Sequence, residues 1–156
     1  MIYVFDTSSF SELKHFYPAV FKSVWSGLNQ LVQENRLIST REVWNELERG
    51  NPEQHVNAWL KSHRHLFRTP GTDELLFVAK IFQIPHFQTL IGEQQRLKGT
   101  PVADPFVIAC AKCVDGTLVT EEALKPNSAK IPNVCNYFKI PCIKLEQFMQ
   151  QQQWIF

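Results

Sequence analysis

The chain has 156 residues, 44% hydrophobic and 20% charged, and its 16 Lys and Arg against 15 Asp and Glu leave a formal charge of +1. That length suits one domain able to bury about two-thirds of its unfolded surface. The composition excludes a disordered chain, the short apolar runs exclude a span of the ~20 residues a bilayer needs, and the charge balance leaves nucleic-acid binding to a local patch.

Residues 2–5, an apolar run of β-branched and aromatic side chains, predict a strand buried on both faces. Lacking a basic n-region and a cleavage site, this start does not resemble a signal peptide, and the expected address is the cytoplasm. Asp6-Thr7-Ser8-Ser9 follows as a polar turn into helical sequence. Val20, Val24, Leu28, Leu31 and Val32 fall at helical spacing and predict an amphipathic helix over 19–34. After the short step Leu37-Ile38, Ser39 or Thr40 caps a helix over 41–49 that Gly50 closes. Asn51-Pro52 then starts a helix running toward Phe67.

Residues 72–96 read as helical with an interruption at Pro85, and 101–113 as another helix. Asp115-Gly116 is a turn, 117–120 a buried strand, and 140–145 a further strand before a terminal helix. Short apolar strands alternating with helices imply an α/β fold with a parallel sheet covered on both sides, in a single domain over 1–156. In such folds ligands sit outside the carboxyl ends of the strands. Asp6 lies at that end of the first strand and Glu121-Glu122 at that end of the strand over 117–120.

Four acids stand out. Asp6 follows its strand directly and serves either as a helix cap or as a functional carboxylate. Asp104 sits in the apolar run Val102-Ala103-Asp104-Pro105-Phe106, where capping is again the competing explanation. Two acids leaving an apolar strand, Glu121 and Glu122, have no evident structural purpose. In Arg41-Glu42-Val43-Trp44-Asn45-Glu46-Leu47, the helix dipole accounts for Glu42 in the first turn. Glu46 is therefore the better candidate, with Glu42 the alternative. Carboxylates gathered at one point repel and take up protons unless a cation compensates them. Mg²⁺ or Mn²⁺ suits such an all-oxygen set and assists displacement at phosphorus.

Other chemistries lack their signatures. There is no Walker loop, dinucleotide-binding glycine turn or Gly-x-Ser-x-Gly elbow, and the five histidines form no H-E-x-x-H pattern. Cys110 and Cys113 are spaced as zinc ligands, but Cys135 and Cys142 are too far apart to complete the pattern, and reduced thiols are expected. Lys61, Arg64 and Arg68 form the best basic patch, readable as a solvated helix face or an RNA contact.

The segments Val4-Phe5-Asp6-Thr7-Ser8-Ser9, Val43-Trp44-Asn45-Glu46-Leu47, Ala103-Asp104-Pro105-Phe106-Val107-Ile108-Ala109 and Leu118-Val119-Thr120-Glu121-Glu122, in that order, resemble a PIN domain. The layout is similar to the VapC-like toxin branch of DUF4411 type. The resemblance implies a three-layer α/β/α fold and a metal-dependent endoribonuclease using Mg²⁺ or Mn²⁺ to hydrolyse RNA, with a 5′-phosphate released. It assigns catalytic and metal-holding roles to Asp6, Glu46, Asp104 and Glu122, with Thr7, Thr120 and Glu121 in support. It also implies a homodimer and a cognate antitoxin, for which Phe16, Tyr17 and Trp25 are possible contacts.

Two positions depart from the common pattern: Ser8 stands where Asn is usual, and Glu122 where Asp is more frequent. Two rival readings remain. A haloacid-dehalogenase-type phosphatase would use Asp6 as nucleophile but needs an aspartate where Ser8 stands. A non-cleaving scaffold of the same fold would bind RNA or protein only.

Overall fold

The computed structural model describes residues 1–90 and 102–156. Among them five strands form one parallel sheet in the order β3-β2-β1-β4-β5. β1 (Tyr3–Phe5) is central because all three of its side chains are apolar enough to be buried on both faces. It pairs with β2 (Leu37–Thr40) through Tyr3↔Leu37, and with β4 (Thr117–Val119) through Tyr3↔Thr117 and Phe5↔Val119. β3 (Phe67–Arg68) and β5 (Cys142–Ile143) are short edges. Edges this short limit the unpaired backbone open to another chain.

Helices cover the sheet on both sides, giving the expected α/β/α arrangement. α1 (Thr7–Glu12) leaves β1 directly, and α2 (Lys22–Gln33) buries Val24, Trp25, Leu28, Leu31 and Val32. α3 (Arg41–Gly50) starts on Thr40, whose hydroxyl accepts from Val43 N at 3.4 Å, and buries Val43, Trp44 and Leu47. α4 (Gln54–Ser62) and α5 (Thr72–Phe82) follow. α6 (Ala103–Cys113) packs against α3, α5 and the three central strands. α7 (Ile131–Phe138) and α8 (Leu145–Gln151) flank β5. Tyr3 and Phe5, two apart on β1, both pack nearly perpendicular to the Phe148 ring of α8, with ring centroids 4.8 and 5.0 Å apart. A fully buried ring of this kind contributes about 1.5–3 kcal/mol.

Several predicted bounds move. The first long helix begins at Lys22, not 19, and Val20 is exposed. Asn51 does not start the next helix: it takes the left-handed conformation (φ 51°) and closes α3, so Gly50 remains helical and α4 begins at Gln54. The helix expected to run to Phe67 ends at Ser62 and gives way to a tight turn and β3. Lys61, Arg64 and Arg68 therefore lie on three elements and do not share a helix face. Residues 131–138, unassigned to any element in the sequence reading, are helical. After α5 a 3-10 helix spans Pro85–Leu90, and the rest of the helix expected over 72–96 lies outside the described residues, as does Pro101. Gly116 is required by space, since a Cβ there would meet Ile2 O at 2.8 Å. Among the described residues no helix is long and apolar enough to cross a membrane.

Candidate active site

The parallel register puts the ends of β1, β2 and β4 at one edge of the sheet, and the chain places acids just beyond them. Asp6 follows β1 in an extended conformation (φ −88°, ψ 179°) and caps α1 by accepting Ser9 N–H at 2.9 Å. Its side chain is only 4% exposed. The Ser8 hydroxyl donates to it at 2.8 Å and the Thr120 hydroxyl at 2.5 Å.

Those two hydroxyls do matching work, one from the start of α1 and one from just past β4. A hydroxyl has one hydrogen to give and lone pairs to receive. Ser8 Oγ accepts Glu121 N–H at 2.9 Å, and Thr120 Oγ1 accepts Glu122 N–H at 3.1 Å, while each gives its own hydrogen to Asp6. The loop after β4 is thus latched to the end of β1, and two backbone amides are relayed to one carboxylate. Burial pushes the Asp6 carboxyl above its ordinary range, and the hydrogen bonds from Thr120, Ser9 and Ser8 pull against that rise.

Glu46 joins α3 to two other elements. Its Oε2 accepts the Thr7 hydroxyl at 2.6 Å, and its Oε1 accepts Ala103 N–H, the first amide of α6, at 3.0 Å. Val102 offers no side-chain cap to α6 and Pro105 carries no N–H, so Glu46 caps that helix from outside. Asp104 is consequently fixed in the first turn of α6, half-buried. Burial and the charges of Glu122, Glu46 and Asp6, in that order, push its carboxyl up to about 7, with Lys130 opposing weakly. Glu122, Glu46 and Asp6 are thus each near enough to Asp104 for their charge to act on it.

Glu122 accepts Ile131 N–H, the first amide of α7, at 2.9 Å through Oε2. Glu121 turns the other way and accepts Leu145 N–H of α8 at 2.8 Å. Of the two neighbours, Glu122 is the one that bears on Asp104. Glu42 takes no part. It is 2% exposed, pairs with Arg41 at 2.9 Å, leaves Oε2 without a hydrogen bond, and raises the carboxyl of Glu74 on α5. Helical spacing brings Glu42 and Glu46 one turn apart, and of the two only Glu46 is among the charges that raise Asp104.

Sequence reasoning treated Ser8 as a departure from a pattern and assigned it no role, yet it is one of three donors to Asp6. A buried aspartate after a strand has to find donors, and Ser8 two residues on is one of them, while the hydroxyl of adjacent Thr7 goes to Glu46. The phosphatase reading loses ground for the same reason: both Asp6 oxygens accept from Ser8, and Ser8 cannot act as a carboxylic acid. Among the described residues no three His, Cys, Asp or Glu side chains stand close enough to hold a metal ion as they are placed. Glu46 and Glu122 instead spend oxygens on helix amides.

Of the suggested contact aromatics, Tyr17 is exposed. Trp25 is buried with its indole N–H on Phe16 O at 2.7 Å, and Phe16 packs partly against the core, so these two are structural. Lys61, Arg64 and Arg68 are all exposed, the Arg64 guanidinium lies 4.9 Å above the Trp44 ring, and Arg68 stands in register with Thr40 at the carboxyl edge of the sheet.

Compared with curated proteins by sequence, the chain matches none. Among solved structures it resembles a chain in the crystal structure of VapBC2 from Rickettsia felis bound to a DNA fragment from their promoter. The TM-score is 0.51 at 17% identity, over 92% of this chain and 97% of that one, a likeness of fold. The family described as a domain of unknown function, DUF4411, matches residues 3–156. The chain belongs to the DUF4411 family and folds as a PIN-like, VapC-like α/β/α protein.

Proposed function

We propose that this protein is a divalent-metal-dependent endoribonuclease and the toxin of a toxin–antitoxin pair, with Asp6, Glu46, Asp104 and Glu122 as its acidic site. The observation that carries the reading is the charge around Asp104. Burial and the charges of three carboxylates drive its carboxyl up to about 7, with Lys130 opposing them. Such a set is costly for the folded chain alone and becomes favourable around a cation.

The donors fit Mg²⁺ or Mn²⁺: they are all oxygen, they stand outside the strand ends, and Asp104 has no side-chain hydrogen bond among the described residues to compete. Asp6, Asp104, Glu122 and Glu46 would hold the ion, which supplies a Lewis acid for the phosphodiester and acidifies water. The chain's own part is positioning. Ser8, Ser9 and Thr120 keep Asp6 aimed, while Glu46 fixes the helix start that carries Asp104. Arg68 at the same sheet edge, with Arg64 and Lys61 beyond it, offers phosphate contacts for RNA. Exposed Tyr17 and Val20 are candidate contacts for the homodimer or an antitoxin.

The test is cleavage of single-stranded and structured RNA with Mn²⁺ by the wild type, Asp6→Asn and Asp104→Asn. On this proposal the wild type cuts and each variant loses on the order of 10²-fold or more. Equal cleavage by all three would move the activity elsewhere, and RNA retained without cleavage at any metal concentration would support the scaffold reading instead.

A further inference from the structure

Outside the acidic site, the cysteines of α7 and β5 form a cluster that the proposed chemistry does not use. α7 ends at Phe138, Lys139 takes the left-handed conformation (φ 59°), and Ile140 N–H returns to Cys135 O at 2.8 Å. This helix-ending motif reverses the chain within a few residues. Two positions later Cys142 enters β5, in register with Leu118 of β4. The reversal lays β5 against the helix it has just left, which brings Cys142 back beside Cys135.

The two thiols differ in access. Cys135 is fully buried, and the neighbouring Cys142 together with burial pushes its thiol far above the ordinary range. Cys142 is half-buried and lines a surface pocket with Leu124, Pro132, Asn136 and Ile140. An accessible thiol backed by a buried one is the arrangement in which the first is oxidised and the second resolves it.

We infer that Cys135 and Cys142 are a redox-modification site that closes to a disulfide when the protein meets a peroxide. In the first step the Cys142 sulfur attacks hydrogen peroxide, the O–O bond breaks, water leaves and Cys142 carries a sulfenic acid. In the second the Cys135 sulfur attacks the Cys142 sulfur, the S–S bond forms, the S–O bond breaks, and the hydroxide leaves with the Cys135 proton as water. The two thiols have given two electrons, and both peroxide oxygens have become water.

The bond would join the two elements that hold the edges of the acidic site. α7 gives Ile131 N–H to Glu122, and β5 gives the Ile143 carbonyl to Thr120 N at 2.9 Å. The inference stands apart from the nuclease reading, because neither its geometry nor its test involves RNA.

The experiment treats the full-length, fully reduced protein with hydrogen peroxide, then denatures, alkylates and maps peptides by mass spectrometry. Of the four free cysteines, Cys110 and Cys113 should remain labelled, and the peptides carrying Cys135 and Cys142 should appear joined, lighter by two hydrogens and separated again by dithiothreitol. Cys142→Ser should abolish the joined species, while Cys113→Ser should leave it unchanged. Labelling of all four cysteines, a disulfide mapping to Cys110 or Cys113, or oxidation of Cys142 to sulfinic acid with Cys135 still alkylatable would each overturn the inference. The wild-type map decides the matter even where a variant folds poorly.

Discussion

Asp6 and Asp104 lie within electrostatic reach of each other, yet their surroundings differ in kind. Asp6 is the more deeply buried and is answered from within the chain: an amide and two hydroxyls donate to it, and those hydroxyls are oriented by two further amides. Asp104 is answered by carboxylates, with no hydrogen bond among the described residues and one weakly helpful lysine. Hydrogen bonds to an ionised carboxylate favour the charge, whereas like charges disfavour it. The difference separates a residue that the fold completes from one left for something outside the fold to complete.

The largest expected effect breaks this comparison by sign. Removing the charge at Asp104 relieves repulsion, so Asp104→Asn should stabilise the metal-free protein at pH 8 by about 2–4 kcal/mol. Removing it at Asp6 strands donors, so Asp6→Asn should destabilise by about 1–3 kcal/mol. Urea unfolding in EDTA measures both, and a shift of the same sign in both variants would erase the distinction.

The pH dependence sharpens it. The folded-state carboxyl of Asp104 is raised from 3.8 to about 7, so between those values the folded protein holds a proton that the unfolded chain has lost. That contribution is therefore favourable at low pH and is lost as pH rises, so metal-free stability should fall between about pH 4 and 7 and then level off for this group. A cation that binds only the folded state cancels the penalty. Mn²⁺ at about a hundredfold excess over its dissociation constant should add roughly 2–3 kcal/mol at pH 8 and much less at pH 5. Equal stabilisation at both pH values would argue against the acidic site as the place where the ion binds.

Thr120→Val tests the Asp6 side more gently. The side chain keeps its volume but loses the hydroxyl that donates to Asp6 and receives Glu122 N–H. A loss of about 1–2 kcal/mol is expected, with the Asp6 carboxyl rising further as a donor disappears. Its titration, followed by NMR, should move upward in Thr120→Val and stay in place in Ser11→Ala, whose hydroxyl serves only the helix carbonyl of Thr7.

Elements with local signals were legible in the sequence: the apolar run of β1, the Thr40 cap of α3, the apolar helix around Asp104 and the strand before Glu121. β3 was not, because two residues such as Phe67-Arg68 carry no periodicity and become a strand only by pairing with Ser39 and Thr40. Asn51-Pro52 misled because Asn both starts helices and ends them in the left-handed conformation; here it ends one. α7 did have a signal, since Ile131, Val134 and Cys135 fall at helical spacing behind Pro132. For the site, each acid could be picked out beside its strand or in its helix. The hydroxyl relay through Ser8 and Thr120 could not, since it is made by the closure of β1 against β4.

Glu46 gives the smallest effect and the finest test of how the two halves are joined. Its two oxygens span from Thr7, beside Asp6, to the first amide of α6, beside Asp104. A glutamine retains one oxygen, which suffices for the Ala103 amide, but its NH₂ would face the Thr7 hydroxyl, which can turn to accept. Glu46→Gln should therefore cost about 0.5–1 kcal/mol for the weakened cap. Removing one of the three charges that raise Asp104 should at the same time return part of that loss above pH 7. The variant should thus be clearly less stable than wild type at pH 5 and nearly equal to it at pH 8 in EDTA. A constant difference across that range would mean that Glu46 acts only as a cap and that its charge does not reach Asp104.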